Sequence, residues 1–284
     1  MCFRYILAAE LPVIETRFGL PPQNLTMEPE YNISPGRYVP VITCDKPYEL
    51  QLFKFGLTPF WAKSEMNLFN ARAEGDSNAD DNPGFHGSKG IILKKAFRKP
   101  VRSQRCLIPA SAFIAGATGQ GNPKPYLVYL RQHHNPFAFA GIFDTWFNPS
   151  TGDYLNAFSI ITTTANSLLR SIGSSRMPVI LTDHQAKKWI NPITELSVVT
   201  GMLRHYDSKR MNAYPIDLKI LTSDENSRQL ILPVGAKVYT EDEPATQIKI
   251  NTSSHWHSKK AQSGQPARAS MLERAELSSP GRKW

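Results

Sequence analysis

Short apolar stretches recur along the first two thirds of the chain. Residues 3–8 form an apolar run interrupted by Arg4, which predicts a strand that begins almost at the N-terminus. The same pattern returns at 48–55, 126–130, 137–142 and 155–162, where β-branched and aromatic side chains cluster between Pro, Gly and Asn turns. Helical spacing is rarer. It predicts one helix over 183–190 with Thr182 as its cap, and another over 195–205 after Thr194. Residues 75–90 are rich in Gly, Asp, Asn and Ser and read as a long surface loop. Strands and helices interleave with no linker before residue 240. The expectation is therefore a single α+β domain over 2–240, with a mostly antiparallel β core and flanking helices. Beyond it the apolar periodicity stops, and 241–284 reads as a disordered tail made basic by Lys259, Lys260, Arg268, Arg274, Arg282 and Lys283.

Composition narrows the class. A chain of 284 residues with 41% hydrophobic content has enough apolar side chains for a real core. No stretch approaches a membrane-spanning run, and the N-terminus lacks the features of a secretory signal, so the expectation is a cytoplasmic protein with no membrane partner. Three cysteines (Cys2, Cys44 and Cys106) are too few for a disulfide framework and fit a reducing compartment. No Cys/His cluster has metal-ligand spacing, and the His133-His134 pair has no matching ligands, so neither a metal nor a cofactor is expected. A net charge of +9 suits a polyanionic partner, because each phosphate neutralised by Lys or Arg releases condensed counterions. Many basic proteins, however, bind no nucleic acid.

Cys2 sharpens that picture. Removal of Met1 would leave one residue carrying a free α-amine, which titrates near pH 8, and a thiol, which titrates near pH 8.5. No internal residue offers that pair. A cysteine after the start methionine also arises by chance, so the rest of the chain decides between the two readings.

A series of motifs follows Cys2 and Arg4 in order. They are Tyr31-Asn32-Ile33-Ser34-Pro35, Gly56-Leu57-Thr58-Pro59-Phe60-Trp61, Asn70-Ala71-Arg72-Ala73-Glu74, Arg105-Cys106-Leu107-Ile108-Pro109-Ala110, Phe139-Ala140-Gly141-Ile142, and Thr163-Thr164-Ala165-Asn166 followed by Arg176-Met177-Pro178. Read together they resemble the SRAP family, the SOS response-associated peptidase or abasic-site processing proteins, across residues 2–235. The resemblance implies a bacterial, nucleoid-associated monomer whose partner is single-stranded DNA containing abasic sites. It also implies a mechanism. The N-terminal amine condenses with the open-chain aldehyde of the lesion, and the thiol closes a thiazolidine, leaving a covalent DNA–protein crosslink. Ring closure within one residue is intramolecular, with effective molarities of about 10⁵ to 10⁸ M available when geometry is right.

Within that resemblance Asn70 matches the asparagine beside the nucleophile, whose amide can donate and accept without adding charge. Arg72 and Arg176 match phosphate-binding arginines, for which planar guanidinium forks are suited, and Arg4 is a weaker candidate for the same role. Trp61 could stack on a base next to the lesion. Trp146, Trp189, Cys44 and Cys106 are expected to be packing residues.

The chain also departs from the family pattern. Where the family carries Glu-Trp after the Pro-Ala motif, this chain has Ala115-Gly116, and where it has Ile-His before Arg-Met-Pro, this chain has Ile172-Gly173-Ser174-Ser175. The resemblance makes the glutamate an acid/base group, worth about 10² to 10⁴ in rate, and links the histidine to sugar opening and adduct reversal. Glu74 and Asp144 are the candidate substitutes. Two readings stay open: a crosslinking protein working without its usual proton-transfer partners, and a module that binds single-stranded DNA or a protein without covalent chemistry. A general peptidase is disfavoured, since no Ser/His/Asp or Cys/His constellation is present.

Overall fold

The computed structural model describes residues 4–85, 89–117, 123–131 and 135–241. Cys2, the His133-His134 pair and the predicted tail beyond Glu241 lie outside the described residues. In chain order the strands are β1 (Tyr5–Leu7), β2 (Glu30–Ile33), β3 (Tyr38–Thr43), β4 (Gln51–Phe55), β5 (Asn70–Arg72), β6 (Arg105–Ala110), β7 (Ala112–Ala117), β8 (Lys124–Leu130), β9 (Phe137–Phe147), β10 (Tyr154–Thr164), β11 (Arg176–Pro178), β12 (Ile180–Leu181) and β13 (Met211–Pro215). The α-helices are α1 (Leu11–Phe18), α2 (Pro100–Ser103), α3 (Ser167–Ser171), α4 (Asp183–Ile190) and α5 (Leu196–Gly201).

Two sheets carry the fold. One runs β13-β8-β7-β1-β2. In the other, β10, β4, β3, β6 and β9 pair in succession, and β9 returns to β10, so these strands close into a small barrel with β11, β12 and β5 attached. Most pairings are antiparallel, as the sequence predicts. The exceptions are the ones that matter for the site, because β10 pairs in parallel first with β4 and then with β5, giving a mixed barrel.

Aromatic rings join the two sheets. Tyr5 on β1 meets Phe55 and Phe139 edge-on at 5.8 and 5.7 Å, Phe113 on β7 meets Phe139 at 5.9 Å, and Phe55 stacks on Phe158 at 5.2 Å. Each such pair contributes about 0.5 to 1.5 kcal/mol beyond its buried area. Trp146, Trp189, Cys44 and Cys106 are all buried.

Several elements differ from the sequence pattern for identifiable reasons. The apolar run at 137–142 extends to Phe147, and that at 155–162 becomes Tyr154–Thr164, because each strand continues past its buried stretch to pair with the other. The first part of 48–55 is turn, with Glu49 N–H bonded to the Lys46 carbonyl, and the strand starts only at Gln51. Helix α4 has the predicted bounds and cap, with Thr182 and Gln185 forming a capping box. Helix α5 stops at Gly201, four residues short of the expected end. Helix α1 carries Pro12 in its first turn and ends at Gly19 in the left-handed conformation (φ 65°), a start and stop signal that the apolar pattern alone does not reveal. Among the described residues no helix is long and apolar enough to cross a membrane.

Candidate functional site

Strand β5 is three residues long, and its alternation sets the site. Asn70 and Arg72 share one face while Ala71 points into the core at 0% exposure. Register with β10 places Asn70 opposite Ile160 and Arg72 opposite Thr162. Strand β11 pairs with the far end of β10, bringing Arg176 opposite Thr164. Residues more than a hundred positions apart therefore meet through β10.

Asn70 is the unusual member. Its Oδ1 and Nδ2 are both buried, and neither has a hydrogen-bond partner among the described residues. An orphaned buried amide costs about 1 to 3 kcal/mol, a debt that ordinary packing asparagines avoid.

The two arginines are more committed. Arg176 is 1% exposed at its side chain and donates to Glu74 Oε2 (2.8 Å), Asp81 Oδ1 (2.7 Å) and the Thr162 carbonyl (2.9 Å). Arg72, one third exposed, donates to the same Asp81 oxygen at 2.5 Å. Glu74 also accepts from Thr163 Oγ1 at 2.7 Å and from the Thr164 backbone N–H at 3.3 Å. Burial alone would raise the Glu74 pKa, yet the hydrogen bonds from Arg176 and Thr163, with the Arg176 charge, hold it below the usual carboxylate value. Glu74 is therefore an ionised tie and a poor proton donor. Asp144, the other candidate acid, is 1% exposed and accepts from the backbone N–H groups of Phe60 (2.9 Å) and Thr145 (3.0 Å) and from Gln104 Nε2 (3.2 Å). Its lone pairs hold the Gly56-to-Trp61 motif in place, a structural task.

Arg4 faces inward. Its guanidinium donates to Asn32 Oδ1 and to the carbonyls of Ser223 (3.2 Å) and Leu221 (3.2 Å), and desolvation lowers its pKa. It ties the start of β1 to the 3₁₀ turn at Leu218–Leu221.

Trp61 lies on the surface at 37% exposure, beside Phe60 at 53%. Lys95 Nζ sits 4.1 Å from the Trp61 ring centroid and Lys99 Nζ 4.4 Å from that of Phe60. Two aromatic faces and two cations make a ledge. Trp146 Nε1 anchors its far end by donating to the Ala62 carbonyl at 2.7 Å.

The positions that depart from the motif pattern are constrained by backbone. Gly116 has φ 125°, and a Cβ there would lie 2.2 Å from the Lys124 carbonyl oxygen. No tryptophan fits at 116 on this path. Gly173 has φ 84°, and its Cβ would sit 3.1 Å from Ala117 Cβ, which places it beside the end of β7. Ala115 lies on β7 opposite Tyr126 and packs against the main core.

Sequence reasoning missed Asp81, Ser175 and Thr162. Asp81 sits in the 75–90 segment, which is less of a surface loop than its composition suggests: Gly75 and Asn78 are buried, and Asn78 brackets the turn through bonds with Asn82. Asp81 has φ 55°, the one positive φ among described non-glycine residues. Among the described residues no group of three or more His, Cys, Asp or Glu is placed to hold a metal.

The chain is similar to known proteins in sequence and in fold. The family described as "SOS response associated peptidase (SRAP)" matches residues 1–223. The chain is 34% identical over 239 residues to the abasic site processing protein YoqW of Bacillus subtilis, covering 81% of this chain and 99% of that one. A vertebrate relative, the abasic site processing protein HMCES of Gallus gallus, is 26% identical over 195 residues, covering 57% of this chain and 54% of its own. Among solved structures, a protein from Bacteroides thetaiotaomicron superposes with TM-score 0.70 at 28% identity, covering 82% of this chain and 99% of the other. A Bordetella bronchiseptica protein superposes with TM-score 0.60 at 21% identity, covering 76% of this chain and all of the other.

Proposed function

The chain belongs to the SRAP family, and on that premise we propose that it processes abasic sites in single-stranded DNA by crosslinking to them through Cys2. After Met1 is removed, the α-amine adds to the aldehyde carbon of the opened sugar. The resulting carbinolamine loses water to give an imine, and the thiol adds across the C=N bond. The sulfur bonds to carbon, the thiol proton passes to nitrogen, and a thiazolidine closes. No oxidant, reductant or cofactor enters the balance.

The observation that carries this reading is the orphaned amide of Asn70. A side chain that leaves both its donor and its acceptor unused inside the protein is suited to a ligand that supplies both, as a sugar hydroxyl and a carbinolamine do. Arg72, one third exposed beside it, is the first phosphate contact, and the Phe60–Trp61 ledge with Lys95 and Lys99 offers faces on which neighbouring bases can stack. Proton transfer is left to solvent or to the substrate, since Glu74 and Asp144 are occupied elsewhere. Crosslinking should accordingly be slow, by about 10² or more against a site with a dedicated acid/base group.

A second reading, binding without covalent chemistry, is favoured by one observation: the backbone at Gly116 excludes the tryptophan of the family pattern. One experiment separates the two. The mature protein is incubated with single-stranded DNA carrying one abasic site and run on a denaturing gel. A heat-stable shifted band that vanishes in Cys2→Ser is expected. Native binding with no covalent band over hours makes the non-covalent reading correct, and intact mass spectrometry that finds Met1 retained ends the thiazolidine proposal.

A further inference from the structure

Four charged side chains meet where β5, β10 and β11 converge: Arg72 and Arg176, Glu74 and Asp81. The two guanidinium groups are paired with the two carboxylates, and Lys89 lies within electrostatic reach of Glu74 and Arg176. A phosphodiester held by both arginines would have to replace one of the carboxylates.

The two are not equivalent. Glu74 is 2% exposed and fixed by Arg176, Thr163 Oγ1 and the Thr164 N–H, so it belongs to the fold. Asp81 is 16% exposed, comes from a loop and adopts φ 55°, a left-handed conformation that disfavours side chains other than Asn, Asp and Gly. One of its oxygens lies between both guanidinium groups, 2.5 Å from Arg72 and 2.7 Å from Arg176, while the other accepts from Ser175 Oγ at 2.8 Å. A carboxylate bridging two arginines, with a hydroxyl on its second oxygen, reproduces what a phosphate would be given there.

We infer that Asp81 holds the place of a backbone phosphate between Arg72 and Arg176, and that it sets the specificity of the site by yielding only to a strand that can replace it. This rests on the proposed role of the two arginines in DNA binding. Arg72 is reachable at once, and Arg176, at 1% exposure, becomes reachable only when Asp81 swings out and frees Nη1 and the Ser175 hydroxyl together. Undamaged strands that dock loosely meet arginines already paired with carboxylates. A strand anchored at the Asn70 end presents its phosphate at close range and displaces the carboxylate.

The test uses a single-stranded oligonucleotide carrying a tetrahydrofuran abasic analogue, which lacks the aldehyde and so reports binding alone, and an undamaged strand of the same length. Affinities are measured by fluorescence anisotropy over a salt series for the full chain and for Asp81→Asn, which keeps the left-handed φ tolerable and removes only the charge. Asp81→Asn should bind the undamaged strand about threefold to tenfold more tightly, and the slope of log affinity against log salt should steepen by about 0.7, the value for one more phosphate neutralised on a single strand. The preference for the analogue over the undamaged strand should shrink. Ser175→Ala, which loosens the other carboxylate oxygen, should shift affinity in the same direction by less. Weaker or unchanged binding in both variants overturns the role of Asp81. Arg72→Gln distinguishes the two levels of failure. If it weakens binding while Asp81→Asn does not tighten it, the inference about Asp81 fails alone. If Arg72→Gln binds as the unaltered chain does, the phosphate reading of the arginines fails with it.

Discussion

Asn70 is held by a three-residue strand in a position where its amide has no partner among the described residues. Stability and function should therefore separate at this residue. Asn70→Ala removes a buried polar group that costs about 1 to 3 kcal/mol when unpaired, and the small cavity left behind offsets part of that gain. The thermal midpoint of Asn70→Ala is expected to be no lower than that of the unaltered protein, while the rate of crosslinking to an abasic strand falls about tenfold or more, the equivalent of one hydrogen bond lost from the transition state. A lower midpoint with an unchanged crosslinking rate would make Asn70 an ordinary packing residue. Motif order marks Asn70, Arg72 and Arg176 as candidates in the sequence, and register on β10 brings them together. Their states are not legible there, because whether an arginine is free or already paired depends on Glu74 and Asp81, which the chain brings in through register and through a turn with no apolar period to follow.

At the scale of elements, the ledge that follows β4 is held on both sides of Trp61. Thr58 Oγ1 donates to the Met66 carbonyl at 2.6 Å, Asp144 caps the Phe60 N–H, and Trp146 ties down Ala62. Trp61 is thus presented by a fixed support, and ordering it on binding carries little entropic cost. Replacing Trp61 by Ala should reduce affinity for single-stranded DNA by about 1 to 3 kcal/mol with little change in thermal stability, measured by anisotropy and by melting in parallel. Unchanged affinity would assign the ledge to something other than bases. Helix α5 shows the reverse lesson about legibility. Its start after Thr194 follows from composition, but its end does not, because residues 202–205 leave the helical path: the Arg204 N–H bonds the Met202 carbonyl in place of a carbonyl four residues back.

For the molecule as a whole, the Glu74–Arg176 pair is a tie across strands distant in sequence, and its pH dependence has a definite sign. The Glu74 carboxyl is held below its ordinary value in the folded protein, whereas in the unfolded chain it titrates near 4.3. The folded state then binds fewer protons. Its contribution to stability is complete above about pH 4.3 and is lost as pH falls through the lower folded value. Glu74→Gln should be about 3 kcal/mol less stable at pH 7, because a buried guanidinium loses one of its two carboxylates, and the gap should close as pH drops below about 4. Melts across pH 3 to 8 check both the size and the slope; a gap that widens in acid contradicts the assignment. The α+β class and the predominance of antiparallel strands were readable from alternation and turns. The closure of the barrel was not, since parallel pairing of β10 with β4 and β5 joins segments about a hundred residues apart and leaves no local mark.

That closure has a consequence for how the protein comes apart. Strand β10 is bonded on one flank by β9 and then β11, and on the other by β4 and then β5. A ring of this kind has no outermost strand from which fraying can begin, so the barrel is expected to lose its structure in one cooperative step. The residues that gather on β10 share that fate: Asn70, Arg72 and Arg176 are aligned together or not at all.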